Sequence, residues 1–345
     1  MDKYIKESIE EFEKFNEIKI SNYQSRYSET SGIVNIDKYI GKDIFEKNIN
    51  EWLKICSDDD EKKSLLNLLK HYLYFPENRF TMELDHIIQK LEENNIDICN
   101  TIFITFPAKE GRVSGGSQIA SGLEKVLLVA PTDNIIADVE AASDNLMQRL
   151  NKVECVVFID DIIGSGCTVY SRVSKFLERF DIGDKDEKPL LYIASICGRE
   201  DKIKQKLKDL SKKYKNKFKY INLYPVKKCI DNRDSILDEK GKQYIRKIEK
   251  FVEDNALYDK DKSFYMGFEK NQLLVSFSYN TPNNTLSVFW RPSTKGTPLF
   301  LRKGKARLTI DNLKQSKQQN TDNAYKMGKV KKDAFDNSKY DTGIY

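Results

Sequence analysis

The chain has 345 residues, 39% of them hydrophobic and 32% charged, which is room for a sizeable core in one large or two modest domains. No apolar run approaches the ~18 residues of a membrane helix, and with two histidines, His71 and His86, a His-rich metal site is excluded and a Ser-His-Asp or Cys-His mechanism is a poor fit. The net charge of +5 is uneven: residues 301–345 carry eleven Lys and Arg against five Asp, so the rest of the chain is near neutral and the pI is weak evidence for nucleic-acid binding by the folded part.

Residues 1–95 read as a helical region. Ile5, Ile9, Phe12 and Phe15 form a stripe at helical spacing, and the segment has no signal-peptide core. The six cysteines are far apart with no C-x-x-C pair, as in a reduced, cytoplasmic protein. The acidic run 57–61 reads as a helix start. It lacks the glycine and terminal glutamate of a calcium loop. His71 and His86 lie in this layer and read as structural.

An α/β part begins near Ile96. The first strand is 101–106, closed by Pro107. A loop follows with Lys109, Arg112, Ser114, Gly115, Gly116 and Ser117, which opens a short helix and offers an anion-friendly turn. A second strand is expected at 125–130, then a helical pattern ending at Leu150.

The central stretch is 153–169. An apolar run, 153–159, has the composition of a strand buried on both faces and ends in Asp160 and Asp161. The turn Gly164-Ser165-Gly166 follows, then Cys167, and a helix opens at about Thr168. In parallel sheets ligands bind beyond the carboxyl ends of the strands. The turn supplies backbone N–H groups and a helix N-terminus. Two carboxylates beside an anion cradle suit a phosphorylated sugar. A Walker A loop is set aside because Cys167 follows Gly166, and a dinucleotide fingerprint because Val169 fills its third glycine position.

Past this stretch, 169–180 is a helix, 190–197 a buried strand with Arg199 at its carboxyl end, 201–213 a lysine-rich helix read as a solvated face, and 217–226 a strand. The alternation makes a doubly wound parallel sheet. A helix at 235–252 and a strand at 271–279 form a C-terminal extension. Asn283 and Asn284 follow Pro282 in a turn, and their carboxamides can also read a base or amide edge. From 302 onward the periodicity ends, and a basic, mobile tail is expected. The resulting division is 1–95, 96–235, 236–301 and 302–345.

The strand, acidic pair and small-residue loop at 158–166 resemble the PRPP-binding signature of type I phosphoribosyltransferases. With the segment YNTPNNTLSVFW and the following PLFLR, the chain resembles the phosphoribosyltransferase-like PRTase-CE proteins of bacterial conflict systems over roughly residues 40–303. The resemblance implies an α/β fold of type I phosphoribosyltransferase kind, a parallel sheet with helices on both faces. It implies PRPP as ligand, with Asp160 and Asp161 at the ribose hydroxyls and supporting Mg²⁺. Gly164, Ser165, Gly166, Cys167 and Thr168 would hold the 5′-phosphate. Lys109, Arg112 and residues 114–117 would hold pyrophosphate, and Arg199, Asn283 and Asn284 would recognise an acceptor. No mobile flap is assigned, because the interval that holds one in such enzymes reads as strand and helix. Members of the group are thought to be anti-phage effectors, some encoded beside retron reverse transcriptases. A reverse transcriptase with its non-coding RNA or DNA is therefore the partner implied, no membrane is involved, and an oligomer is compatible. The competing readings are a catalytically silent PRPP or nucleotide sensor, a nucleic-acid-associated regulatory protein using the basic tail, and a base-salvage enzyme. The helical N-terminal region and the TPNNT segment argue against the last.

Overall fold

A computed structural model of the chain describes residues 1–18, 20, 42–106, 115–127, 132–137, 145–150, 152–180, 189–257, 259–300 and 302. It resolves into two compact units, one formed by Met1–Pro76 with Lys228–Tyr345, the other by Glu77–Lys227.

The first unit opens with α1 (Asp2–Asn16), α2 (Lys42–Trp52), α3 (Asp59–Lys70) and the short strand β1 (Leu73–Phe75). The stripe of α1 is buried at Ile5, Ile9 and Phe12, and its next member is Asn16, while Phe15 is exposed. Asn16 fixes the chain after α3: its Nδ2 donates to Tyr72 O at 2.8 Å, and its Oδ1 accepts from Tyr74 N at 2.6 Å. The acidic run does start a helix. Asp58 caps α3 by accepting from the backbone N–H of Asp60 and of Glu61. The exposed His71 follows α3, and its Nδ1 lies 3.0 Å from Asn67 O.

The second unit follows. It contains α4 (Glu77–Glu93), β2 (Thr101–Thr105), α5 (Gly115–Val126), β3 (Ile135–Ile136), α6 (Asn145–Leu150), β4 (Cys155–Ile163), α7 (Cys167–Phe180), β5 (Leu190–Gly198), α8 (Glu200–Tyr214) and β6 (Phe218–Pro225). Its five strands are parallel in the order β3-β2-β4-β5-β6. The chain steps from β2 to β3 on one side and returns past β2 to β4 on the other, so the switch point lies between β2 and β4. Ile102, Ile104, Val156, Phe158, Leu191 and Ile193 pack against α6, α7 and α8. α4 and α5 pair with each other through Leu84 and Phe80 against Gly122.

The chain then returns to the first unit with α9 (Glu239–Asp254) and β7 (Val275–Phe277), and β7 pairs in parallel with β1. The core here is aromatic. Tyr72 stacks on Phe300 at 4.5 Å, Phe289 lies 4.6 Å from Tyr72 and 5.0 Å from Trp52, and Trp52 Nε1 donates to Val288 O at 2.9 Å.

Several elements differ from the sequence reading. β1 lies within a region expected to be wholly helical, because three residues are too few for periodicity to register. The strand expected at 271–279 shrinks to β7, since Gln272 adopts a left-handed φ of 55°. The strand expected at 125–130 starts instead as the end of α5, where Leu127 N donates to Leu123 O at 2.8 Å; residues 128–130 lie outside the described ones. The helix expected from Ser235 begins at Glu239, because the Asp238 side chain accepts from Gly241 N. α4 belongs with the sheet and 228–300 with the N-terminal helices, so the compact units cut across the stretches read from sequence. The expected tail, 303–345, lies outside the described residues.

The buried Glu249 of α9 gathers the C-terminal segment. Its carboxylate accepts from Met266 N (2.9 Å), Ser287 Oγ (2.8 Å) and Val288 N (2.8 Å). Burial outweighs these donors and pushes its pKa up to about 6 from 4.5. The folded state therefore binds the proton more tightly, and this group's contribution to stability falls as pH rises from about 4.5 to about 6. Urea denaturation of Glu249→Gln should show a smaller decline than wild type across that window. Glu249→Ala, which orphans three donors, should cost about 3 kcal/mol at pH 7.

Candidate active site

The β2 and β5 ladders on β4 end at different heights. β2 pairs with β4 as far as Thr105↔Ile159, whereas β5 pairs on to Ile163↔Gly198. Asp160 and Asp161 thus lie inside the strand, the sixth and seventh of its nine residues, not beyond its end as the sequence suggested. Among the described residues their flank towards β2 carries no strand pairing, and it faces the switch point.

The end of α5 nearest this flank is also drawn to it. A Cβ on Gly115 would overlap the Asp161 carboxylate, so a side chain there would push that carboxylate aside. The structure therefore brings together one residue of the Ser/Gly loop and one of the acidic pair, which are 46 positions apart in the sequence. Gly116 and Ser117 occupy the first turn of the same helix. Lys109, Arg112 and Ser114 lie outside the described residues.

Each carboxylate of the pair accepts the next backbone N–H: Asp160 Oδ1 from Asp161 N at 3.0 Å, and Asp161 Oδ1 from Ile162 N at 2.8 Å. Burial and the adjoining Asp161 charge hold the Asp160 pKa well above the ordinary carboxylate range. The Cys197 thiol, buried on β5, is likewise raised by burial and by both aspartates, which makes it inert as a nucleophile.

The turn 164–166 follows β4 directly. Gly166 has φ 75°, a backbone that L side chains rarely adopt. Ser165 Oγ accepts from Cys167 N at 3.3 Å, and Gly166 O accepts from Tyr170 N at 2.9 Å as α7 begins. Cys167 and Thr168 are exposed at the first turn of this 14-residue helix. The helix thus starts at the cysteine, one residue before the expected threonine.

Arg199 sits between β5 and α8 at the same edge. It is buried, donates its backbone N–H to Ile163 O at 2.8 Å, and pairs with Asp201 through Nε at 2.7 Å and Nη2 at 2.5 Å. Asn283 and Asn284 belong to the other unit. Their backbone carbonyls accept from Phe268 N and Leu273 N, and their half-buried carboxamides make no hydrogen bond among the described residues.

Two residues escaped the sequence reading. Thr105, at the carboxyl end of β2, is buried with a hydroxyl that makes no hydrogen bond among the described residues. Its register partner is Ile159, so by strand alternation it lies on the same face as Asp161. The signal was a lone hydroxyl closing an otherwise apolar run. The second is Lys206 of α8, whose side chain lies against Gly166; nothing local in a lysine-rich helix marks it.

The family model PRTase-CE matches residues 49–302. The chain belongs to the PRTase-CE family. Among curated proteins, none matches it. The PRTase-CE match covers the whole five-stranded unit with its acidic pair, and it also covers the helix and strand that return to the first unit. No helix among the described residues is long and apolar enough to cross a membrane.

The electrostatics of the acidic pair are testable without any ligand. Asp160 titrates above the 3.8 of a free carboxyl. Its ionised form is thus disfavoured in the folded state, and the cost is fully present above its folded pKa. Asn at 160 keeps the acceptor for Asp161 N–H and removes the charge. Asp160→Asn should therefore raise unfolding free energy at pH 7 by about 1 kcal/mol or more, and the gain should shrink as pH falls toward 4, measured by chemical denaturation.

Proposed function

We propose that this PRTase-CE protein binds PRPP at the carboxyl edge of its sheet and acts at C1 of the ribose with release of pyrophosphate. The observation that carries the reading is the contact of Gly115 with Asp161, which sets the start of one anion-friendly loop beside the acidic pair at the sheet's switch point. A second anion-friendly turn, 164–166, follows the same strand; in this reading the two turns take two phosphate groups on either side of the carboxylates.

In this reading Asp160 and Asp161 accept from the ribose 2′- and 3′-hydroxyls. Gly164, Ser165, Gly166, Cys167 and Thr168 hold the 5′-phosphate through backbone N–H groups and hydroxyls. Gly115, Gly116 and Ser117 hold pyrophosphate, with Lys109, Arg112 and Ser114 on the preceding residues. The C1–oxygen bond breaks with its electron pair leaving on pyrophosphate, and an acceptor bonds to C1 and gives up a proton. Positioning and charge stabilisation account for such a step, and no strong protein nucleophile is required. The acceptor is water, a nucleobase or a macromolecule, and Arg199, at the same sheet edge as the acidic pair, is the residue of this unit placed to meet it.

The two carboxylates fit a cation of the Mg²⁺ type. Mg²⁺ takes one or two carboxylates and completes its shell with water and substrate phosphates, and among the described residues no cluster of three or more His, Cys, Asp or Glu offers a fuller cage. When bound, Mg²⁺ would neutralise charge on the leaving pyrophosphate. Burial and then the adjoining Asp161 charge disfavour a lone ionised Asp160, and a cation between the carboxylates would offset both.

Membership of PRTase-CE supports an effector role; in this reading the setting is cytoplasmic anti-phage defence of retron type, with a reverse transcriptase and its non-coding RNA or DNA as the restraining partner. The chemistry is tested by pyrophosphate release from PRPP and Mg²⁺. Wild type should release it, and the double variant Asp160→Asn/Asp161→Asn should lose at least about a hundredfold. Equal release by both would remove the acidic pair from the chemistry. PRPP binding without release by wild type would make the protein a sensor on the same fold.

A further inference from the structure

We infer that Lys206 of α8 is a phosphate-binding residue of the 164–168 cradle and selects ligands bearing a phosphate dianion. The inference rests on the cradle reading above and adds to it a side chain from a different element. Most lysines of α8 are solvent-exposed, including Lys202, Lys204, Lys208, Lys212 and Lys213, but Lys206 is half-buried. Its stem lies across the turn. Lys206 Cγ is 2.8 Å and Cβ 3.7 Å from the point where a Gly166 Cβ would stand. The stem therefore passes over the one residue of the turn that has a left-handed backbone.

The ammonium reaches the first turn of α7, the helix that follows this turn. It rests over the Tyr170 ring at 5.2 Å from the centroid, and Tyr170 N is the group that donates to Gly166 O. Its ion pair with Asp209 is long, 3.7 Å, and a half-exposed pair of this kind is worth little. The stem is seated as far as Cγ and the bonds beyond it can turn, so the ammonium can leave the ring for an anion in the turn at small cost. The anion also needs it. The groups of the turn are neutral N–H and O–H donors, while Asp160 and Asp161 stand a few residues away and oppose a dianion. A cation laid over Gly166 offsets that repulsion.

The test uses the full chain and ribose 5-phosphate, by isothermal titration calorimetry. Lys206→Met keeps the stem on Gly166 and removes the charge, and thermal melting checks that it folds as wild type does. Lys206→Met should weaken binding about tenfold or more, while Lys206→Arg should retain most of it. Wild-type affinity should climb between pH 5.5 and 7.5 as the phosphate takes its second charge, with pKa about 6, and the climb should be flatter in Lys206→Met. Equal affinity in wild type and Lys206→Met overturns the role of Lys206 and leaves the cradle standing. Weaker binding with an unchanged pH profile overturns it too, since that marks a packing effect. No binding of ribose 5-phosphate by wild type overturns the cradle and Lys206 together.

Discussion

The candidate site depends on an inequality in how β4 is hydrogen-bonded. Among the described residues the strand is held on both sides through Ile159 and on one side only from there to Ile163. The one-sided ladder supplies a rigid backbone for two acidic residues, and the end of the β2 ladder leaves room for the start of α5, where Gly115 meets Asp161. An aspartate paired on both sides in a central strand would be buried without compensation. One placed beyond the strand would lose its fixed orientation. Asp160 and Asp161 fall between these cases because β2 stops four residues before β5 does.

Two buried carboxyl groups show what separates a structural acid from one poised for a ligand. Glu249 is enclosed by three donors from its own unit, and every one of them is a group that would otherwise be orphaned. Asp160 has a single backbone donor and a second carboxylate beside it. Near it the chain tolerates an unpartnered threonine hydroxyl and a left-handed turn residue. The carboxylate and the hydroxyl are locally unfavourable, the turn needs the backbone that glycine alone adopts freely, and all three fall on one edge of one sheet. Local disadvantage concentrated in one place is the physical mark of a functional site.

What could be read from sequence was what is local in sequence. β2, β5, β6 and α7 lie within about two residues of their expected bounds, because apolar runs and helical stripes carry their own signal. The acidic pair and the glycine turn are adjacent in the chain, so their order was visible too. The apolar run after Lys125 misled because it continues a helical stripe: Ile119, Leu123 and Leu127 are all buried four residues apart. β1 and β7 pair across 202 positions, Leu73 with Val275, and each is too short to declare itself. For the same reason a unit built from both ends of the chain was invisible to composition. In the site, Gly115 against Asp161 and Lys206 against Gly166 are contacts between elements, and no local pattern encodes them.

The segment 281–290 shows how a conspicuous motif can have structural content first. Thr281 Oγ1 donates to Phe300 O at 3.0 Å, Thr285 Oγ1 donates to Val275 O of β7 at 2.7 Å, and Trp290 Nε1 donates to Thr285 O at 3.0 Å. Val288 O takes the Trp52 indole, and Val288 N goes to Glu249. The threonines and the tryptophan therefore hold the first unit together, and their polar groups are used up in doing so. Asn283 and Asn284 differ. Among the described residues they contribute to this unit through their backbone carbonyls, which accept from Phe268 N and Leu273 N.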